Sequence, residues 1–552
     1  MRTRAEGFTR LEETKNEKLD VLIVGGGATG LGLAVDAVTR GYRTALVEAG
    51  DFAQATSSRA TKLVHGGVRY LASGQVHLVY EALRERKIML ANAPHLVHPL
   101  PFVMPAYRWF DLPFYGAGLT LYDLLSGRSS LGPTSILSVR ETCERVPGIA
   151  PTGLKGSVLY HDGQFDDARL ALALARTAED HGAIVLNYAR CVALHKSHGH
   201  IRSAQVEDME TGRSFEVHSW VVINATGVFV DELRSYDDPS APPMLSVSRG
   251  THIVVPGEVL GNANAIMVPK TRDGRVIFAI PWQGKVVIGT TDVPAPSVAM
   301  EPGHEISEID FLLGTINPYL ARPLDKADIL SVFSGLRPLV TGTQVKTSKL
   351  SREHTVQVSP SGLITVAGGK WTTYRRMAED ALRIAGLHGL LPRRPCLTRT
   401  LRLHGAPVQS PSESPLSRYG TDAAEIASLW ASDPEMKTLL DPELPFTRAE
   451  VVFAARCEMA RSVEDVLSRR TRALLLDARA AQRSASAVAG LMATELGHGA
   501  RWIEQETKRF VELARKFYLV SGSAIDDRSG APADTSVCRS PDWHKCRHGE
   551  AG

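Results

Sequence analysis

Cysteine is scarce in this chain of 552 residues. Its six cysteines are scattered and contain no CxxC pair, which excludes a disulfide scaffold and a cysteine-rich zinc site. We therefore expect a reducing compartment and no bound metal. The cysteines are Cys143, Cys191, Cys396, Cys457, Cys538 and Cys546.

Long apolar runs and an excess of one charge are also lacking. No stretch approaches the roughly 18 uninterrupted apolar residues of a transmembrane helix. Residues 1–18 are charged and lack the apolar segment of a secretory signal. The 63 Lys and Arg nearly balance the 60 Asp and Glu, so the net charge of +3 favours no nucleic-acid partner. These absences predict a cytoplasmic protein and leave peripheral membrane contact open.

A glycine-rich loop near the N-terminus is the first motif that the chain does contain. Asp20 to Val24 is a short apolar run typical of a buried strand, and the sequence GGGATG follows it. A helical pattern and a second strand ending at Glu48 complete a βαβ unit. This order predicts a doubly wound dinucleotide-binding fold.

Each glycine of the loop has a physical purpose in such a fold. Gly25 permits the tight turn, Gly27 lets the backbone approach a pyrophosphate, and Gly30 lets helix and strand pack closely. The Glu48 carboxylate can accept hydrogen bonds from ribose hydroxyls. The loop alone does not separate FAD from NAD, and a glycine turn in an ordinary α/β domain is the alternative. A second strand that ends at Gly227 favours FAD.

The remaining pattern divides the chain into regions. Short β-rich pieces between 248 and 291 predict an antiparallel second sheet, and residues 447–519 are helical in pattern and lack proline. The predicted fold class is α/β: a Rossmann-like FAD-binding domain, a mainly antiparallel β substrate domain and a C-terminal α-helical domain. The predicted boundaries are a polar tail at 1–18, FAD-binding segments at 19–92, 150–246 and 330–400, substrate-binding segments at 93–149 and 247–329, a helical domain at 401–520 and a disordered tail at 521–552.

Several blocks in one order carry a family resemblance. They are ATSSRATKLVHGGVRYL at 55–71, YHDGQFDDARL at 160–170, RGTHIVVP at 249–256, SGLRPL at 334–339, GGKWTTYR at 368–375 and SVEDVLSRRTRALLLD at 462–477. With them, residues 19–519 resemble the FAD-dependent glycerol-3-phosphate dehydrogenases of the aerobic respiratory type, within the glycine oxidase and D-amino-acid oxidase superfamily. The resemblance implies bound FAD and oxidation of sn-glycerol 3-phosphate to dihydroxyacetone phosphate. Hydride would pass from C2 to flavin N5, and electrons would pass on to a membrane quinone.

The resemblance also implies a set of site residues. Oxidation of a secondary alcohol needs a base for the hydroxyl proton, and His65 and His252 are the unranked candidates. Arginine forks suit a phosphate dianion, which selects Arg337 and Arg69, with Tyr70 beside them. Lys370 is expected at the flavin edge or at the substrate, as a fourth catalytic residue. The cofactor-binding residues are expected to be Gly25, Gly27, Gly30, Glu48, Thr56, Ser57, Ser58, Lys62, Gly227, Gly369, Lys370 and Thr372.

Other functions and partners remain open at this stage. The alternatives are an oxygen-using glycerol-3-phosphate oxidase, an amine or amino-acid oxidase, and a flavin-binding interaction protein without activity. Residues 112–125 are apolar enough for a membrane surface or a buried helix. The cluster of Arg469, Arg470 and Arg472 suits anionic lipid or a solvated face. The expected location is cytoplasmic and peripheral on the inner face of the cell membrane, and a homodimer is left open.

Overall fold

The computed structural model describes residues 3–67, 75–269, 271, 274–340, 354–407 and 414–519. Its α-helices there are α1 Arg4–Glu12, α2 Ala28–Thr39, α3 Val76–Asn92, α4 Asp111–Ser126, α5 Val139–Arg145, α6 Asp167–Asp180, α7 Val230–Asp237, α8 Ile306–Ile316, α9 Tyr374–Leu387, α10 Ala423–Ser432, α11 Arg448–Cys457, α12 Ala473–Leu476, α13 Ala478–Leu496 and α14 Ala500–Ala514. Its strands are β1 Leu19–Val24, β2 Thr44–Val47, β3 Leu63–Val64, β4 Val97–Ala106, β5 Ser135–Leu137, β6 Gly156–Phe165, β7 Ile184–Leu186, β8 Ala189–Ser197, β9 His200–Asp208, β10 Ser214–Asn224, β11 Leu245–Pro256, β12 Ala265–Val268, β13 Ile277–Trp282, β14 Lys285–Gly289, β15 Val293–Pro294, β16 Ser331–Val340, β17 His354–Val358 and β18 Ile364–Gly368.

The first sheet has the strand order β17-β18-β10-β1-β2-β7, with β8 and β9 added beyond β10. Strands β18, β10, β1, β2 and β7 are parallel, and β17 is antiparallel to β18. Alternate residues of β1 serve two cores, because Val21 and Ile23 face helices α2, α6 and α9 while Leu22 and Val24 face α1 and β8 to β10. This sheet confirms the predicted doubly wound fold.

The segment predicted as a polar N-terminal tail contains helix α1 and packs on this sheet. Thr3 caps α1 in a capping box with Glu6. Phe8 and Leu11, three residues apart and so on one helix face, are buried, and the Phe8 ring stacks on Phe215 at 4.8 Å. These two apolar residues draw an otherwise charged segment into the folded body.

The second sheet has ten strands and is antiparallel except for the β12–β4 pair, as expected. Its order is β15-β11-β14-β13-β12-β4-β6-β3, with β16 paired to β11 and β5 paired to β6. Strands β3, β6 and β16 therefore come from segments predicted to lie in the FAD-binding part. Strand β6 pairs with β4, and β16 with β11, along ten residues each, and no local pattern marks such long-range pairing.

The C-terminal region is helical, as predicted. Helices α11 to α14 and a π-helix at Asp465–Arg470 form an apolar core that also includes four residues of the second sheet, Val254, Trp282, Val287 and Phe333. His404 joins this region to α6, since its Nδ1 lies 2.6 Å from Asp180 and its Nε2 lies 3.2 Å from Asp422. Burial opposes its charge, yet these hydrogen bonds raise the pKa of His404 to about 9. Among the described residues, no helix has the length and apolar character needed to cross a membrane.

The arginine cluster of the helical region is internal, which contradicts both predicted roles. Arg469 and Arg470 are fully buried and pair with Asp51. Arg472 is also buried and pairs with Asp167. Asp51 and Asp167, far away in sequence, neutralise these cations together with Glu464 and Asp465 beside Arg469, as burial requires, so the cluster reaches neither lipid nor solvent.

Candidate active site

A cradle forms where four parallel strands of the first sheet end. Gly25 follows β1, Glu48 follows β2, Gly227 lies just beyond β10, and Lys370 lies just beyond β18. The structure thus brings together four segments that the sequence predicts as cofactor contacts. Such a row of strand ends is the usual ligand crevice of an open α/β sheet.

The glycine loop fits a dinucleotide phosphate. Gly25 has a φ of +113°, and a Cβ there would lie 2.5 Å from the Ala225 carbonyl oxygen. A Cβ on Gly30 would lie 1.8 Å from the Gly25 carbonyl oxygen, so the helix and the loop could not pack as they do. Gly27 is the N-cap of α2 and provides no capping side chain, which leaves this helix N-terminus suited to an anion.

Glu48 lies at the end of the cradle where a ribose is expected. Its two carboxylate oxygens accept the Gly26 N–H at 2.5 Å and the Gly50 N–H at 2.9 Å. Burial raises the pKa of Glu48, and the backbone hydrogen bonds oppose that rise. The carboxylate is therefore held in one orientation by the glycine loop itself.

Residues 55–65, which we call the crossing segment, run from the cradle to the second sheet. The Ser57 hydroxyl accepts the Ala28 N–H at 3.0 Å, which puts Ser57 at the N-terminus of α2. The Thr56 hydroxyl instead donates to the Leu336 carbonyl at 2.6 Å, next to Arg337. The crossing segment therefore links the phosphate end of the cradle to strand β16.

Lys62 is an internal brace of the crossing segment. Its side chain is fully buried, and its Nζ lies 2.7 Å from Asp167 and 3.0 Å from the Ser58 carbonyl oxygen. Ser58 is also buried. Burial lowers the pKa of Lys62 to about 8, although the Asp167 carboxylate opposes the shift and nearby Arg472 adds to it.

The GGK segment closes the other side of the cradle. Gly369 has a φ of +81°, and a Cβ there would lie 2.4 Å from the sulfur of Met377. Lys370 is the N-cap of the short helix Trp371–Thr373, in which Thr372 is buried. The Trp371 Nε1–H donates to the Ser57 carbonyl at 2.8 Å, so this segment and the crossing segment hold each other.

Arg337 lies on β16 against the turn that follows β14. Its guanidinium donates to the Thr290 hydroxyl and the Thr291 carbonyl, each at 3.0 Å, and pairs with Asp292 at 3.2 Å. Arg337 pairs with Ser248 of β11, and a Cβ on Gly250, two positions further along β11, would lie 2.2 Å from Arg337 Nη2. The glycine thus makes room for the guanidinium to lie across the sheet.

His252 lies on β11, two positions beyond Gly250. Its ring stacks on Phe333 at 4.7 Å, and its Nε2 lies 3.0 Å from the Thr61 hydroxyl of the crossing segment. Its Nδ1 is buried and has no hydrogen-bond partner among the residues that the structure describes. Burial, followed by the charges of Lys62 and Arg337, holds the pKa of His252 well below its usual value, so the imidazole is neutral at pH 7.

Comparison with known proteins agrees with this geometry. Residues 20–375 match the family described as FAD dependent oxidoreductase, and residues 396–502 match the C-terminal domain of alpha-glycerophosphate oxidase. The human mitochondrial glycerol-3-phosphate dehydrogenase is 40% identical over 93% of this chain and 75% of its own length. The chain belongs to the FAD-dependent glycerol-3-phosphate dehydrogenases. A mitochondrial member from Arabidopsis thaliana is 39% identical over 93% of this chain and 88% of its own.

A solved glycerol-3-phosphate dehydrogenase supports the same family and cofactor. The enzyme from Bacillus halodurans, solved with FAD, has a TM-score of 0.74 and 28% identity, covering 93% of this chain and 96% of its own. The Mycoplasma pneumoniae L-alpha-glycerophosphate oxidase, at 19% identity and a TM-score of 0.52, shows the fold alone. The cofactor of the family is FAD, which the glycine loop and its helix fit.

Some predicted residues of this dehydrogenase site lie outside the described chain, and one contacts a residue not yet mentioned. Arg69 and Tyr70 lie outside the described residues. His65 is half-buried, with its ring 6.3 Å from that of Phe278. Five residues that hold the predicted side chains in place were not predicted from sequence. They are Thr61, Asp167, Thr290, Thr291 and Trp371. All five lie within or next to motifs of the family, so motif context is the one signal that marks them.

Proposed function

We propose that this protein oxidises sn-glycerol 3-phosphate to dihydroxyacetone phosphate. The observation that carries the proposal is that a neutral histidine, His252, and an arginine, Arg337, lie on neighbouring strands of the second sheet. His252 on β11 and Arg337 on β16 belong to paired strands, in which His252 lies opposite Phe333 and Arg337 opposite Ser248, and, besides burial, the charge of Arg337 helps to lower the pKa of His252. The relatives named above are glycerol-3-phosphate dehydrogenases, and their name identifies a substrate with a secondary alcohol and a phosphate.

Arg337 is proposed to bind the phosphate of the substrate. Its guanidinium is held by Thr290, Thr291 and Asp292, and its side chain is one-fifth exposed. The group is therefore both fixed in orientation and accessible to a ligand. A planar guanidinium can donate two parallel hydrogen bonds to one phosphate. Arg69 and Tyr70 stay predictions for the same group.

His252 is proposed as the base that accepts the proton of the C2 hydroxyl. A neutral imidazole has a lone pair for that proton, and its low pKa keeps it neutral through the physiological range. The Thr61 hydroxyl and the Phe333 ring fix the ring plane. Bound FAD would supply the ring that accepts the hydride from C2. His65, the other predicted base, remains an alternative.

The cradle residues are proposed to hold the cofactor. The glycines of the loop and Ser57 would face the pyrophosphate, and Glu48 the ribose. Lys370, at the start of a short helix, is proposed to face the flavin edge. Thr56, Ser58 and Lys62 would act by shaping the crossing segment, because their hydrogen bonds go to Leu336, to Asp167 and to each other.

A product assay with alternative substrates and acceptors tests the proposed reaction. Purified holoenzyme is given glycerol 3-phosphate, glycerol or glycine, with a soluble quinone or with oxygen alone. We expect dihydroxyacetone phosphate from glycerol 3-phosphate with quinone, and a large fall in kcat for His252→Gln. Hydrogen peroxide in the amount of product would favour the oxidase, and turnover of glycine would favour the amine oxidase.

We also propose that the protein contacts the membrane that holds its quinone, through the outer face of α4 and the turn before it. Trp109, Phe114 and Leu124 are 71%, 73% and 72% exposed, which is uncommon for a contiguous apolar face. Phe110 and Leu121 are also exposed on this face. The inner face of α4 is buried, as one of the two predicted roles of residues 112–125 requires, and the membrane role is proposed for the outer face alone.

Cations flank this apolar face. Lys155 lies over the Trp109 ring at 5.4 Å, and Arg108 lies over the Phe110 ring at 5.8 Å. Aromatic rings beside cations suit the interface between lipid tails and anionic headgroups. A peripheral position on the inner face of the cell membrane rests on this proposal.

Vesicle sedimentation tests the membrane contact. The double variant Phe114→Glu/Leu124→Glu should lose binding to anionic vesicles, because two charges would enter the interface. Leu387→Glu is the matched control, since Leu387 is 54% exposed at the end of α9. Unchanged sedimentation of the double variant would refute this surface.

A further inference from the structure

Arg472 reaches from the helical region into the crossing segment. It precedes α12 with a φ of +72°, in the left-handed region, and its side chain is fully buried. Its Nη2 lies 2.6 Å from the Ser58 carbonyl oxygen and 2.8 Å from Asp167. Its Nη1 donates to the Ser468 carbonyl at 2.9 Å, which ties the guanidinium to its own region.

These contacts close a ring with Lys62. Arg472 and Lys62 both donate to the Ser58 carbonyl, and both pair with Asp167 through its two different oxygens. The Asp167 carboxylate also accepts the Ala60 N–H at 2.9 Å. Three donors from the crossing segment and the helical region therefore share one buried carboxylate, and the loss of one leaves the others incompletely paired.

The crossing segment connects this ring to His252. Thr61 lies between Ala60 and Lys62, both bound to Asp167, and its hydroxyl is 3.0 Å from His252 Nε2. Any shift of the segment would therefore move the hydroxyl that orients the imidazole. A misplacement of about 1 Å at a reacting group can reduce a rate by about a hundredfold.

We infer that Arg472 is a positioning residue for the oxidation: it holds the Ser58 carbonyl and Asp167, and so fixes Thr61 against His252. The helical region thus contributes to the active site although, among the described residues, the side-chain hydrogen bond of the His252 ring goes to Thr61 of the crossing segment. This inference rests on the proposed reaction. Arg472 would then act on the reaction although neither the cofactor nor the substrate needs its charge directly.

Two substitutions in the holoenzyme test the inference. Arg472→Lys keeps the buried charge but loses the planar guanidinium, whose Nη2 binds the Ser58 carbonyl and Asp167 while its Nη1 binds the Ser468 carbonyl. Thr61→Val leaves the ring around Asp167 intact and removes only the hydroxyl beside His252. Arg483→Lys is the control for the substitution itself, because the exposed Arg483 pairs with Asp441 through its Nε and Nη2 and contacts neither Ser58 nor Asp167.

Three measurements distinguish a positioning role of Arg472 from a role in the stability of the protein. They are kcat per bound flavin, KM for glycerol 3-phosphate, and amide hydrogen exchange of residues 56–62 in the enzyme without substrate. For Arg472→Lys we expect kcat per flavin to fall about tenfold, KM to stay unchanged, and exchange to quicken about tenfold, the effect of one lost hydrogen bond. For Thr61→Val we expect a similar fall in kcat with a changed pH profile and unchanged exchange.

The outcomes that overturn the inference are specific. If Arg472→Lys keeps the kcat per flavin and the exchange rates of the wild type, the Arg472 guanidinium is not needed to position the crossing segment. Lost flavin with normal kcat per remaining flavin would assign Arg472 to stability alone, and wild-type kcat in Thr61→Val would remove the link to His252. Failure of the wild-type flavin to be reduced by glycerol 3-phosphate would refute the proposed function instead, and the exchange data would still report the contact.

Discussion

Adding one methyl group at Gly250 should displace the Arg337 guanidinium without unfolding the protein. An ideal Cβ at this position lies 2.2 Å from Arg337 Nη2, 2.6 Å from its Cζ and 2.7 Å from the Thr290 hydroxyl oxygen. The end of a flexible side chain can move away from such a contact. Gly250 has no left-handed φ, so alanine fits its backbone.

The size of the effect follows from the hydrogen bonds that the guanidinium would lose. It donates to Thr290 and Thr291 and pairs with Asp292, and these contacts aim it at the proposed phosphate position. A hydrogen bond to a charged group contributes about 1.5–3 kcal/mol. If one such bond to the phosphate is lost, KM should rise about 10- to 150-fold, at 1.4 kcal/mol per factor of ten.

Steady-state kinetics and thermal unfolding of Gly250→Ala measure the two parts of this prediction. We expect the higher KM together with a Tm close to that of the wild type. Gly490→Ala in α13 is the control, because its Cβ would meet no atom within 4 Å and alanine favours a helix. An unchanged KM in Gly250→Ala would refute the placement of the phosphate at Arg337.

Three further substitutions test other parts of the account. Gly289→Ala should lower kcat with little change in KM, since its Cβ would lie 2.2 Å from the His252 ring; steady-state kinetics would show it. Gly30→Ala should yield protein without FAD, because its Cβ would lie 1.8 Å from the Gly25 carbonyl oxygen; the flavin absorbance per protein is the measure. His404→Gln should lose about 2 kcal/mol of stability near pH 6 after allowance for solvent screening. The folded-state pKa of about 9 lies above the usual 6.5, so this stabilisation is complete below pH 6.5 and disappears as the pH rises through 9; urea unfolding at both ends would show it.

The glycine loop and the cofactor cradle could be predicted from sequence because their signals are local. A strand, three spaced glycines, a helix and an acidic residue occur within 30 residues, and the structure places Gly25, Gly30 and Glu48 as expected. The family blocks indicated His65 and His252, unranked, for the base and Arg337 and Arg69 for the phosphate, and these stay predictions. What the blocks could not show is that Gly289 and Gly250 make the space for the His252 and Arg337 side chains.

The arginine cluster could not be interpreted from sequence because Asp51 and Asp167, the partners that hold it inside the protein, lie hundreds of residues away, and only Glu464 and Asp465 beside Arg469 are local. Arg469 and Arg470 share Asp51, 418 and 419 positions earlier, and no periodicity announces that pairing. A run of three arginines on a helical segment is typical of an exposed face. Phe8 and Leu11 are the opposite case, because a segment that looks exposed is in fact buried on one side. Two apolar residues among charged ones are a weak sequence signal for a packed helix, and only the sheet on which they pack makes their burial evident.

An anaerobic titration of the purified protein with glycerol 3-phosphate tests the central claim most directly. The visible flavin absorption should bleach with this substrate and stay unchanged with glycerol or with glycine. His252→Gln should bleach far more slowly, because the hydroxyl proton then has no acceptor at that position. A flavin that stays oxidised in excess glycerol 3-phosphate would contradict the account.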